Sequence, residues 1–228
     1  VSQRLHRTGE HPAPGTGKAA DLFSSICDAI SPFMQLMSRD DGLYSVLKFL
    51  KITAIGLVAL PVLAGAHMGI GQLTGNFHEV IPGELYRSAQ PSGKDIAAYA
   101  KAYGIKTIIN LRDEKREGWY DAESLAAKNN GIRLVDYPLS SSEKVSVEDS
   151  ETLAAVLRNA EKPVLIHCEH GANRTGLASA IYVAAVAGKS EAAAEFQLSP
   201  YYGHVPIPGI GRYEMYQSWD DFEETIGF

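Results

Sequence analysis

Residues 163–176 read PVLIHCEHGANRTG, and this stretch decides the fold. Its first four residues form an apolar run, closed by His167, of the kind a parallel sheet buries on both faces. Such a strand delivers Cys168 to the carboxyl end of the sheet, where open α/β sheets hold their ligands. The chain then loops and enters a helix near Arg174. Successive N–H groups of such a loop converge into a nest for an anion, and the helix start adds its positive dipole end. Gly171 permits a turn that a Cβ would hinder. Arg174, six residues after Cys168, can fold back so that its planar fork takes two phosphate oxygens. The same field favours a thiolate at Cys168, a nucleophile able to attack phosphorus and form a phosphocysteine. Cys168 and Arg174 are therefore the candidate catalytic pair. Glu169, His170, Gly171, Ala172, Asn173 and Thr175 are the candidate phosphate-binding residues. Thr175 can also hydrogen-bond the sulfur, and His167 is expected to hold the loop through backbone hydrogen bonds.

Working outward, residues 84–88 read as a short strand. Ser92 can cap a helix over 93–103 that stops at Gly104. Residues 106–111 are rich in β-formers, 119–129 are helical with Gly131 just beyond, and 133–139 read as a strand. Ser146 and Asp149 have capping-box spacing for a helix that runs to residue 160. Further helices are expected over 174–187, 190–198 and 213–225. The Ala-rich stretch 177–187 is too short for a membrane span and suits the core helix behind the loop. Strands alternating with helices imply an α/β fold with a central, mostly parallel sheet of four to five strands flanked by helices.

His167, Cys168, Gly171, Arg174 and Thr175 together resemble the HCxxGxxRT signature of the protein tyrosine phosphatase superfamily, in particular its dual-specificity branch. GNFHEVIPGELYRSAQPS (75–92), KTIINLRDE (106–114) and YPLSS (137–141) are similar to segments of atypical bacterial dual-specificity phosphatases, which are often membrane-anchored. The resemblance implies hydrolysis of phosphomonoesters through a phosphocysteine, without a metal or organic cofactor. It also implies an Asp that protonates the leaving oxygen. Four residues compete for that role: Asp136, inside the predicted strand; Glu143, in the loop that follows; Asp149, more simply a helix cap; and Asp113, on another loop at the same sheet edge. Asp136 is preferred for its distance along the chain from Cys168.

The substrate-facing surface has Arg112 and Asp113 as candidate rim residues, with Arg87 a further source of positive charge. Phosphatases of this superfamily that act on inositol phosphates tend to carry Lys within the loop, whereas this one carries Glu169, His170 and Asn173. A single phosphate, on a protein or a small molecule, suits it better than a dense cluster. A phosphate-binding protein without catalysis is an alternative, because the acid is uncertain. So is a rhodanese-like sulfur carrier, although the Gly171, Arg174 and Thr175 spacing fits phosphate better. His67 and His78 have no partner at metal-ligand spacing, His204 is a candidate to line the pocket or cap a turn, and Tyr201, Tyr202, Tyr213 and Tyr216 read as packing.

The chain of 228 residues has a formal charge of −6, which argues against a broad nucleic-acid footprint. Residues 1–74 hold 6 Lys+Arg against 5 Asp+Glu, so residues 75–228 carry a balance of −7. An anion site there must be a local pocket. Two cysteines, Cys27 and Cys168, exclude a disulfide framework. Residues 1–47 read as a disordered, cytoplasmic segment. Residues 52–70 form an uncharged apolar run of 19, long enough to span a bilayer. A transmembrane anchor over 48–70 is expected, leaving 75–228 as the catalytic domain. A cleaved signal peptide competes, since Ala64-Gly65-Ala66 has the A-x-A pattern, and so does a buried soluble helix. Arg39, Lys48 and Lys51 precede the run and no Lys or Arg follows before Arg87, which places the catalytic domain outside the cytoplasm, on the periplasmic side.

Overall fold

The computed structural model describes residues 42–112, 118–209 and 212–228. The chain divides into two compact units, Val1–Ala59 and Leu60–Phe228. Helix α1 (Gly42–Leu73) supplies the described part of the first unit and the opening residues of the second. It is about 48 Å long at 1.5 Å per residue, and extends beyond the apolar run at both ends. It keeps Pro61 inside it.

The second unit alternates strand and helix: β1 (His78–Ile81), β2 (Leu85–Ser88), α2 (Gly93–Tyr103), β3 (Thr107–Asn110), α3 (Gly118–Asn129), β4 (Arg133–Asp136), α4 (Val147–Asn159), β5 (Val164–His167), α5 (Asn173–Ile181), α6 (Glu191–Glu195) and α7 (Tyr213–Ile226). The sheet order is β1-β2-β5-β3-β4. β2, β5, β3 and β4 are parallel, and β1 joins the edge antiparallel with a bulge at Glu79–Ile81. β1 is an addition to the expected strands. Its alternation is too short to stand out in sequence, and the hairpin to β2 supplies its pairing.

Period-two alternation divides the core. Leu85, Ile109, Val164 and Ile166 turn to one side, against Leu153, Leu157, Leu177, Ile181, Trp219 and Phe222. Tyr86, Ile108 and Leu165 turn to the other, against Ile96, Ala126 and Ala127. Helix starts follow local chemistry. Ser92 and Asp95 form a reciprocal capping box on α2, which ends at Gly104 in the left-handed conformation. Ser146 accepts from the Asp149 N–H at the start of α4.

Three boundaries differ from expectation. β4 stops at Asp136, so that residue is the last of the strand and stands at the carboxyl edge. The helix after the loop is α-helical only to Ile181, and Tyr182–Val186 widen into a π turn. The 190–198 segment splits into α6 and a 3₁₀ turn, Phe196–Leu198.

Candidate active site

β5 lies between β2 and β3, the two strands joined across it by α2, and Cys168 follows its last residue at this topological switch point. The loop 168–173 runs from there into α5. Ala172 at the helix start makes no side-chain cap, so no side chain of the cap residue occupies the N–H groups of the first turn.

The carbonyls of Glu169, His170, Gly171 and Ala172 are each held from outside the loop. Glu169 O accepts from Gln90 N at 3.1 Å. His170 O accepts from Gln72 Nε2 at 2.9 Å and Asn76 Nδ2 at 3.1 Å. Gly171 O and Ala172 O accept from Arg87 Nη2 at 2.8 and 3.3 Å. A peptide plane is rigid and trans, so a carbonyl fixed on one side turns the following N–H to the other. The N–H groups of His170, Gly171, Ala172 and Asn173 are thereby aimed away from these partners, as a nest requires. Gly171 has φ +66°, and a Cβ there would lie 2.5 Å from Ala89 N and 2.6 Å from Ser88 O.

Cys168 is 2% exposed. Burial opposes ionisation of its thiol. The Arg174 guanidinium, the Thr175 hydroxyl and the N–H groups of Thr175 and His170 outweigh that, and the thiol titrates below its ordinary value. The Thr175 hydroxyl is itself buried and, among the described residues, has no oxygen or nitrogen partner. Half-buried Arg174 has Nη1 3.3 Å from Leu111 O and 3.5 Å from Leu139 O. It thus sits against the segments that follow β3 and β4.

Arg87 is not a rim residue. It is wholly buried behind the loop, its Nη1 also donating to Gln197 O at 2.9 Å and Oε1 at 3.0 Å, with its guanidinium 3.9 Å from the Tyr202 ring centroid. Desolvation lowers its pKa to about 10, well within the charged range at neutral pH. His167 uses a side chain rather than backbone: its Nε2 lies 2.6 Å from Glu123 Oε1, both residues fully buried. Glu123 Oε2 accepts from Gln90 Nε2 at 2.9 Å, and Gln90 Oε1 accepts from Arg112 Nη1 at 2.9 Å. Arg112 also stacks on Trp119, 3.8 Å from the ring centroid. A continuous chain thus joins Arg112 to the residue preceding Cys168. Sequence reading missed Glu123, Gln90, Asn76 and Gln72, which lie 44 or more residues from the part of the 167–173 segment they touch. The acidic residue on the apolar face of α3 is the one signal that marks Glu123.

Of the candidate acids, Asp136 accepts from Asn110 Nδ2 at 2.9 Å and from the Tyr120 hydroxyl at 2.5 Å. Asn110 pairs in register with both His167 and Asp136, so Asp136 stands two strands from His167, about 10 Å at ordinary strand spacing. A groove of about 310 Å³ beside it is lined by Asp136, Tyr137, Leu139, Glu143, Val145 and Asp149. Glu143 is exposed there. Asp149 serves as a cap residue, its carboxylate accepting from the Ser146 hydroxyl at 2.6 Å. Asp113 lies outside the described residues. Among the described residues no group of His, Cys, Asp and Glu is arranged to hold a metal.

Residues 75–201 match the family described as DSP-PTPase phosphatase fused to NAD+ kinase, more than half of the chain. The chain belongs to this family. The dual specificity protein phosphatase TpbA of Pseudomonas aeruginosa is 32% identical over 123 residues, 52% of this chain and 51% of that protein. The inositol diphosphatase SIW14 of Saccharomyces cerevisiae is 33% identical over 107 residues, 44% of this chain and 36% of that protein. The chain thus spans about half the length or less of these curated relatives. The crystal structure of a cysteine-to-serine form of P. aeruginosa TpbA in complex with pTyr matches with a TM-score of 0.51 at 24% identity, over 67% of this chain and 91% of that one. It shares the phosphatase fold.

Proposed function

We propose that residues 75–228 form a cysteine-dependent phosphomonoester hydrolase acting through a phosphocysteine. The observation that carries this is Cys168 buried at a loop whose four carbonyls from Glu169 to Ala172 are held from outside, with Arg174 depressing its thiol pKa. The thiolate attacks phosphorus, and the P–S bond forms as the P–O bond to the leaving group breaks. The loop N–H groups and Arg174 stabilise the charge spreading over the phosphoryl oxygens. Water then attacks the phosphocysteine, releases phosphate and returns the sulfur as thiolate, which Thr175 can stabilise. Asp136 donates the proton to the leaving oxygen. Its place at the carboxyl edge, with Asn110 and Tyr120 fixing its orientation, supports this role.

The substrate fitting this site best is a phosphotyrosine-bearing protein, the ligand chemistry seen in the TpbA complex. Glu169 and His170 are 54% and 65% exposed in their side chains at the loop surface. Their composition, in a domain of net negative charge, favours one phosphate over the clustered phosphates of an inositol substrate.

The test is hydrolysis of an aryl phosphate in chelator by the full chain beside its Cys168→Ser and Asp136→Asn forms. The serine form should be inactive. The asparagine form should lose about 10²-fold in kcat on a phenyl phosphate and much less on a nitrophenyl ester, whose leaving group needs no proton. Equal loss on both esters would remove Asp136 from the role, and activity in the serine form would sink the mechanism.

Helix α1 is long and apolar enough to cross a membrane, with mean hydropathy 2.0 and none of its most apolar stretch buried. We propose that it is a single span with the catalytic domain outside the cytoplasm, on the strength of Lys48 and Lys51 preceding the run. A reporter active only in the periplasm, fused after Phe228, should then be active. One active only in the cytoplasm would invert the topology.

A further inference from the structure

We propose that Asn76, with Gln72 beside it, is a positioning residue for phosphate binding: together they clamp the His170 carbonyl so that the Gly171 N–H stays aimed at the anion. This rests on reading residues 168–175 as the phosphate site.

The need for a clamp comes from the loop. Gly171 has φ +66° and no Cβ to restrain the peptide plane before it. The His170 carbonyl belongs to no strand or helix, and its partners among the described residues are two side-chain amides. Released from them it would turn to water, and the Gly171 N–H would rotate out of the nest with it. The Gly171 and Ala172 carbonyls have Arg87, and the Glu169 carbonyl has the Gln90 backbone. Gln72 and Asn76 complete the set.

Asn76 is built for the task. It is 3% exposed, and its Nδ2 donates both to His170 O and to Tyr202 O at 2.9 Å. Its Oδ1 lies 3.0 Å from His78 Nε2, an arrangement that orients the amide, because a flipped Asn76 would set its oxygen against two carbonyls. It holds φ +45°, a left-handed conformation that Asn tolerates better than most residues. Its backbone N–H donates to Gly71 O, 2.6 Å away, which ties it to the end of α1. Gln72 sits on the last turn of α1 and its bond is exposed, so it reinforces the clamp more weakly. The last turn of the apolar helix is thus part of the scaffold of the phosphate loop.

The experiment uses the full chain in detergent micelles with inorganic phosphate as the probe. It reads competitive inhibition of aryl phosphate hydrolysis and, independently of turnover, protection of Cys168 from alkylation. Asn76→Gly keeps the positive φ and removes both donors. It should weaken phosphate about tenfold, the loss of one hydrogen bond to a charged group, and raise KM more than it lowers kcat. Gln72→Leu should weaken phosphate about threefold, and Gln72→Lys, which returns a donor, should recover most of that loss. Thermal unfolding of each variant separates positioning from collapse. If Asn76→Gly proves unfolded, the exposed Gln72 pair decides. Leu and Lys forms that bind phosphate as the parent does would overturn the clamp while leaving the phosphatase reading intact. A parent chain that neither binds phosphate nor turns over would overturn both.

Discussion

At Gly171 two demands meet: a left-handed φ and a backbone neighbour, Ser88–Ala89, closer than any Cβ allows. Gly171→Ala should therefore cost roughly 2–4 kcal/mol in urea unfolding and abolish phosphate binding, because relief requires the loop to move. His204 supplies a pH dependence. It is fully buried, its Nδ1 lies 2.8 Å from Asn173 Oδ1, and its Nε2 has no partner among the described residues. Burial first, and the Arg87 charge second, lower its pKa from 6.5 to about 4. The unfolded chain therefore takes up a proton at His204 that the folded chain refuses. Stability from this residue is full above pH 6.5, falls as pH drops toward about 4, and changes no further below that. Melts of the parent chain should lose more over this window than melts of His204→Gln. At this scale the glycine turn at Gly171 and the helix entered near Arg174 were legible because both depend on spacing within one short segment. Arg87, Glu123 and Asn76 were not, since each reaches the loop only after the sheet has brought distant segments together. A lone Arg in YRSAQP gives no sign of which side of the loop it occupies.

Among the elements, α3 does more than cover the sheet. Through Glu123 it places a buried carboxylate against His167, the last residue of β5, and against Gln90. Removing that carboxylate strips a partner from buried His167 and from half-buried Gln90. Glu123→Ala should destabilise by about 3–5 kcal/mol in denaturant titration. Glu123→Gln, which keeps the shape, should lose less and still shift the pH at which Cys168 is alkylated. The α2 and α4 starts were legible because capping chemistry is local, and β3 and β5 because each is built on an apolar run, Ile108-Ile109 and Val164–Ile166. The π turn after Ile181 had no such signature: Tyr182–Val186 repeats the apolar pattern of α5, and the register change is imposed by packing. β4 was read three residues too long because Tyr137, Pro138 and Leu139 continue its apolar character after the sheet pairing has ended.

For the whole molecule, the −7 balance of residues 75–228 surrounds the proposed phosphate site. Long-range repulsion should slow the approach of an acidic phosphopeptide and be screened by salt. kcat/KM for such a peptide should rise between 10 and 150 mM salt, roughly two- to fivefold, while that for a neutral-flanked aryl phosphate stays nearly level. The α/β class was legible from the alternation of elements, and a long apolar helix from composition. What sequence could not reveal is how the domain begins. The family match starts at Gly75, yet Gln72 already bonds the His170 carbonyl. That bond bears on how this domain can be cut and grafted. A fragment trimmed to the family match keeps Asn76 but discards Gln72, and a fusion placed after Leu73 puts a foreign turn where Gly71 receives the Asn76 N–H. Joints that carry the domain whole lie at or before His67, whose ring meets the Tyr201 carbonyl at 3.0 Å.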